Sequence, residues 1–448
     1  MGRRLYFLDF LRGLAIIGVV VNHAIVYGIM FNNENAMKYL PKSPLVIFAP
    51  FMIFATWAGL FAVINGIGIS YNLYLRLENG IPLKKALKSP LIHSTSILII
   101  HFIFQLIFTR GFKNIYGTEP WWSIGTGSII QGSIQPLNLL VLYRSDALSM
   151  IAMSGYFSCL IMGIIWKDKT HFSNLKRTFR ILTELAIIWL ALSASLWQFL
   201  YYRLFLPALM KGGVFYIFAL LLSLIAPHGH GIFPYGAYTI VGLLFGFAFA
   251  RQESRQQIKR VAKLFAWGLI GMGALLIFFH FLTVPNISLD FFFNYIVIPP
   301  DLYIPNLGFM ILAIIGLSGK FKDQSTEFDA TTPPPIFRKT KFIRDMGKIT
   351  LTLYCWENVW SSLMRVWFIR LFSSILAESD VLMENFGIQL LFLLTYCLSW
   401  LIIIWLWKML KNTLSMEWIV YRLDKIFGKP TFENFFLPKT KIQNKNKN

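Results

Sequence analysis

Apolar residues fall along the chain in blocks of about twenty, the length a helix needs to cross a bilayer core. Blocks near 10–30, 45–75, 91–109, 147–166, 181–202, 233–250, 264–283, 305–319, 347–370 and 386–407 predict ten spans. The second is long enough to tilt or to extend past the bilayer, and the eighth is short. A further apolar stretch, 213–226, lies between Gly212-Gly213 and the turn-forming run Pro227-His228-Gly229-His230-Gly231. The expected fold class is all-α: a polytopic membrane protein with about ten transmembrane helices plus one re-entrant or interfacial helix.

Charge decides how 213–226 is read. Of the 42 Lys and Arg residues, 33 fall in segments 1–12, 76–90, 167–180, 251–263, 320–348 and 408–448. With ten spans and both termini cytoplasmic, all six lie on the inside, as the positive-inside rule requires. An eleventh crossing would put the three richest clusters outside. Composition agrees: 56% of residues are hydrophobic and 14% charged, against roughly 25% charged in soluble domains. The net charge of +21 is dealt out in small lots between spans, not gathered on one face with interleaved aromatics, so nucleic acid is not an expected partner. It reads chiefly as an orientation code, with attraction to anionic headgroups or an anionic cytoplasmic ligand added.

The first span is expected to be retained, since Asp9 and Arg12 interrupt its start and no small-residue cleavage site follows. Residues 110–146 form a long outer loop whose Trp121-Trp122 reads as an interfacial anchor. The Pro-rich 320–346 segment reads as a solvated linker, and Lys439–Asn448 as disordered. Asn286-Ile287-Ser288 matches a glycosylation acceptor. Cys159, Cys355 and Cys397 lie in apolar runs and read as packing residues. His228 and His230 form an H-x-H too poor in neighbouring ligands to predict a metal.

Ionisable groups inside spans are the candidates for chemistry, because lipid penalises them. Asp9 and Arg12 stand three apart and can pair on one helix face. The alternative reading makes Arg12, with Arg3 and Arg4, part of a cationic cradle for phosphates. His23 lies eleven residues after Arg12, roughly 16 Å along the helix. It suits a general base, or equally a neutral packing histidine. His101, with Gln105 one turn later, falls about halfway through the third span, His280 near the outer end of the seventh, and Glu357 near the middle of the ninth. A buried Glu must be neutral, paired or solvated, and His23 is the partner expected for Glu357.

Arg4-Leu5-Tyr6-Phe7-Leu8-Asp9-Phe10-Leu11-Arg12-Gly13, continuing to Asn22-His23, resembles the opening of polytopic membrane acyltransferases of the acyltransferase 3 and heparan-α-glucosaminide N-acetyltransferase-like groups. Gly231-Ile232-Phe233-Pro234-Tyr235 through Gly242 to Gly246, Tyr295 through Pro299-Pro300-Asp301 to Gly308, and Met346-Gly347 to Tyr354 are similar to later segments of the second group. The resemblance implies a ten-span core, with residues 1–410 as one transmembrane acyltransferase domain and 411–448 as a basic cytoplasmic tail. It also implies an acyl-CoA donor, acetyl-CoA or another acyl-CoA, held at Arg3, Arg4, Asp9 and Arg12. His23 and Glu357 would carry catalysis, with His101 and His280 near an extracytoplasmic glycan or lipid acceptor and no metal. The expected setting is the plasma membrane, with membrane lipids as partners and a homodimer left open. A proton-coupled transporter of a small anion or glycan, relaying protons through His23, His101 and Glu357, is the alternative. A scaffold without chemistry is a third reading.

Overall fold

The computed structural model describes residues 5–31, 58–110, 120–167, 174–226, 230–251, 255–283, 300–321, 335–376, 381–410 and 412–427. Arg3, Arg4, the Asn286 acceptor sequence, His228 and the Lys439–Asn448 tail lie outside these residues. The longer helices are α1 (Tyr6–His23), α2 (Ala58–Glu78), α3 (Leu83–Ile107), α4 (Gly125–Gln131), α5 (Ala147–Ile165), α6 (Leu175–Gln198), α7 (Phe215–Ile225), α8 (Ile232–Ala250), α9 (Arg255–Thr283), α10 (Pro300–Lys320), α11 (Lys341–Lys348), α12 (Thr350–Leu376), α13 (Phe386–Met409) and α14 (Met416–Phe427). Among the described residues ten helices are long and apolar enough to cross a membrane, and no named strand is present. The chain is an all-α polytopic membrane protein.

The 213–226 stretch does not cross. It forms α7, eleven residues long, about 16 Å of rise against a core of about 30 Å. Its approach is set by Gly212 and Gly213, both left-handed at φ +68° and +59°, a pair of conformations glycine adopts without a Cβ clash. Helix α6 runs on through a π segment (Phe199–Phe205) to Lys211, and α7 folds back against that extension. The fifth span is therefore much longer than its apolar block, because the π segment continues the hydrogen-bonded ladder.

Two backbone-on-backbone contacts organise the centre. Helix α8 lies along α2: a Cβ on Gly242 would sit 2.2 Å from the Val63 carbonyl, and one on Gly246 2.3 Å from that of Ile67. This is the small-xxx-small packing by which membrane helices gain dispersion contact where no hydrophobic drive exists. Helix α1 meets α11 in the same way. A Cβ on Gly13 would sit 1.9 Å from the Ile343 carbonyl, and one on Gly347 1.9 Å from that of Asp9. Helices α9 and α10 pack mainly on each other, and α9 turns Leu264, Trp267, Met272 and Phe278 outward, as a lipid-facing helix does.

Two segments differ from their sequence reading. Trp121 is buried, at 6% exposure, and so is no interfacial anchor. Within the described part of that loop, 120–146, Ser123 and Thr126 donate to the Ile107 and Phe108 carbonyls at the end of α3, left open where that helix stops. Within the expected basic tail, Met416–Phe427 forms α14, packed on α3 and α12 with Glu417 and Asp424 buried.

Candidate functional site

Gly13 and Gly347 fix the register of α1 against the α11–α12 segment, and ten residues beyond each stand His23 and Glu357. Along α1 that interval is about 15 Å; on the other side it crosses the break at Ile349 between α11 and α12, and the two side chains meet. His23 Nδ1 lies 2.6 Å from Glu357 Oε1. The carboxylate is fully buried and the ring is 23% exposed. The acid thus backs the ring, and with Nδ1 engaged, Nε2 is the nitrogen left to exchange a proton. Immediately after His23 the helix relaxes into a π turn, Ala24–Ile29, a distortion that recurs at functional sites. Tyr27 packs edge-on to the His23 ring at 4.9 Å.

Beneath this pair, toward the basic end of the bundle, lies a partly open cavity of about 170 Å³. Asp9, Arg12 and Lys348 are at its basic end, Phe61, Ile64, Ile97 and Ile151 line its apolar wall, and Tyr354 lines it one helical turn before Glu357. Asp9 and Arg12 approach to 4.0 Å, with Asp9 buried and Arg12 26% exposed. Lys348 is held by Asp345 at 2.7 Å, and Asp345 also binds Lys408 at 3.0 Å. Burial works against ionisation of Asp345, but the two lysines outweigh it and hold its pKa below the ordinary value.

Helix α14 closes one side of the cavity, which the sequence reading missed. Glu417 lines it and accepts from the amides of Leu351 (2.5 Å) and Thr352 (3.2 Å), and from the Thr352 hydroxyl. It therefore caps the N-terminus of α12. Burial dominates there and pushes its pKa up to about 7, against those hydrogen bonds. Asp424 accepts from Ser96 at 2.7 Å and pairs with His93, a cavity residue, at 2.9 Å. The only signal in the sequence was a short amphipathic run after the last span.

The other expected residues separate. His101 stands six residues from the end of α3, not halfway, because the helix starts at Leu83. It is fully buried, with Nδ1 2.9 Å from Asp146 Oδ1, and Gln105 donates to Asp146 Oδ2 at 3.0 Å. Asp146 is also the N-cap of α5, accepting from the amides of Leu148 and Ser149 in a capping box. Burial opposes its ionisation, yet the charge and hydrogen bond of His101 and these amides leave its pKa lowered. Tyr354 lies within electrostatic reach of both Asp146 and Glu357. His230 is half-buried, and desolvation pushes its pKa down to about 4. His280 is half-buried in the last turn of α9, on the α9–α10 pair, apart from the groups gathered around His23.

No protein-family model, curated protein or solved structure matches the chain. The chain is a multi-span helical membrane protein with a His–Glu pair of partly exposed ring and buried carboxylate, and a cavity lined in part by Arg12 and Lys348.

Proposed function

We propose that the protein is a membrane-embedded acyltransferase, moving an acyl group from a cytoplasmic acyl-CoA to a hydroxyl or amine of an extracytoplasmic glycan or lipid. The observation that carries this reading is the His23–Glu357 pair standing one helical turn beyond Tyr354, a residue that lines the cavity. A cavity near 170 Å³ compares with one that admits a benzene-sized guest. It has room for a short acyl group and the end of a thiol arm, while a nucleotide would stay at the mouth beside Arg12 and Lys348.

Glu357 holds the Nδ1 proton of His23 and favours the imidazolium that forms when Nε2 takes a proton from the acceptor. Tyr354, at the inner end of the cavity, marks where the donor's reactive end would meet that nitrogen. Bound acyl-CoA supplies the acyl group as a thioester: the acceptor atom bonds to the carbonyl carbon, the C–S bond breaks, and the proton removed by His23 goes to the departing thiolate.

The test is the purified full chain with radiolabelled acetyl-CoA and a panel of glycans and lipids, wild type against His23→Ala. Saturable acetyl-CoA binding by both, with transfer confined to wild type, is the expected result. Absence of any acetyl-CoA affinity in folded wild-type protein overturns the reading, and solute flux in proteoliposomes without covalent change would replace it by transport.

A further inference from the structure

Beyond His23, at the end of α1 away from the basic mouth, two buried arginines meet. Arg110 donates Nη1 to the Tyr27 carbonyl, and its guanidinium lies over the rings of Tyr27 at 5.3 Å and Phe31 at 5.6 Å. Arg365 donates to the carbonyls of Gly28 (2.8 Å) and Ile29 (2.7 Å), and lies 5.0 Å over the Phe31 ring. Phe31 itself is left-handed at φ +67°, a conformation a bulky residue keeps only when its surroundings impose it. Arg144 donates to the Arg110 carbonyl at 3.2 Å and steadies that segment.

These carbonyls are the last of the π turn, so part of the cationic charge answers the negative end of the helix. Part does not. Arg110 is 5% exposed, and its Nη2 is buried without a hydrogen-bond partner. Glu357 Oε2 is likewise buried and unpartnered, and it lies within electrostatic reach of Arg110. Burial, then the neighbouring charge of Arg365, push the Arg110 pKa down to about 10, so it stays a cation at neutral pH. A buried cationic donor left unpaired is costly, and buried polar groups are almost always satisfied. A partner from outside the chain would complete it. Tyr27 touches both His23 and Arg110, so that partner would sit one aromatic ring from the proton-exchanging nitrogen.

We propose that Arg110 Nη2 anchors an acceptor subsite for an anionic oxygen, a carboxylate or phosphate carried beside the hydroxyl or amine that His23 deprotonates. An anion suits the place better than a neutral carbonyl, because it also relieves the repulsion between Arg110 and Arg365. In naming the ligand an acceptor, the inference rests on the acyl-transfer reading; the subsite itself rests on Arg110.

The experiment measures binding to the full chain without acyl-CoA, using two matched probe pairs. One is a glucuronate-containing disaccharide against its neutral methyl ester. The other is nanodiscs doped with phosphatidic acid against the corresponding diacylglycerol. The charged member of at least one pair is expected to bind about tenfold or more tighter, and which pair does so identifies the source of the anion. Arg110→Gln should erase that preference. Should it fail to fold for want of the Tyr27 contact, Arg110→Lys keeps a charge and should cut the preference several-fold. Equal binding of charged and neutral probes in both pairs, or a preference undiminished in folded Arg110 variants, overturns the proposal. Charge-selective binding without any acyl transfer would leave the subsite standing and count against acyl transfer alone.

Discussion

His23–Glu357 and His101–Asp146 are the same chemical pair in one bundle, and they differ in what else the carboxylate does. Asp146 accepts from His101, Gln105 and the amides of Leu148 and Ser149, and its histidine is sealed from solvent. Glu357 has its histidine and one oxygen left over, and that histidine is partly exposed. A carboxylate consumed by capping and packing is building a helix start. One that gives a single bond to a partly exposed imidazole orients that ring. Depth in the membrane, the criterion available from sequence, ranked the two alike.

The largest effect should therefore come from the open pair. His23→Ala is expected to lower acetyl transfer per folded molecule by about 10²–10⁴-fold, the usual size of a general-base contribution. Its unfolding temperature in detergent should stay near wild type. Glu357→Gln should lose less, since the amide still holds the ring. A His23→Ala protein that unfolds readily but, while folded, transfers acetyl at the wild-type rate would collapse the distinction.

The closed pair should behave in the opposite sense. Asp146→Ala removes an N-cap and strands a buried histidine, and about 3–5 kcal/mol of stability should go with it. Turnover of the fraction that remains folded should change by less than tenfold. Thermal unfolding and active-site-normalised rates, measured together, check this. A stable Asp146→Ala protein with abolished transfer would make the second pair part of the chemistry.

Register is what brings the open pair together, and it offers a third, smaller test. A methyl on Gly347 would lie 1.9 Å from the Asp9 carbonyl, and backbone there has no flexible end to move aside. Gly347→Ala should push α11 off α1, misplacing Glu357 against His23. About a 10²-fold loss of transfer is the expected scale for an ångström of misplacement. The corresponding Gly163→Ala, whose Cβ would meet only the end of Leu87 at 3.4 Å, serves as the control and should be nearly silent.

That glycine contact also marks how far the sequence could be read. Apolar block length gave ten spans and the short α7, because the bilayer imposes its thickness on every crossing helix. His23 and Glu357 were legible as costly residues at similar depth. Their partnership was expected and is met; its geometry was not legible, since it depends on Gly13 and Gly347 packing α1 against α11 across more than three hundred residues of chain. Arg110 and Arg365 went unremarked for a related reason. Arg110 lies in what reads as a loop and Arg365 near the end of a span, where basic residues are ordinary; only the folded π turn reveals that both donate to its carbonyls. Helix α14 was hidden by composition, its Glu417 and Asp424 looking like solvated charges until packing buried them.

Glu417 carries the smallest expected effect, and its sign is the reverse of most carboxylates. Its folded-state pKa, about 7 against an ordinary 4.5, lies above the unfolded one. Protonation therefore favours the docked helix. The stabilisation is fully present below about pH 4.5 and is lost as pH rises through 7. Between pH 5 and pH 7 the loss should be about 2 kcal/mol, read as a falling unfolding temperature. Glu417→Gln keeps an acceptor for the Leu351 and Thr352 amides but cannot ionise, so its profile across this range should lose that slope. The Asp146 pair supplies the contrast. There the folded pKa is lowered, so its carboxylate adds stability above the ordinary aspartate pKa and loses it only as acid takes the pH down through the lowered value. A wild-type protein that grows more stable from pH 5 to 7 by an amount removed in Glu417→Gln would show the carboxylate docking as an anion, with α14 held by charge and not by burial.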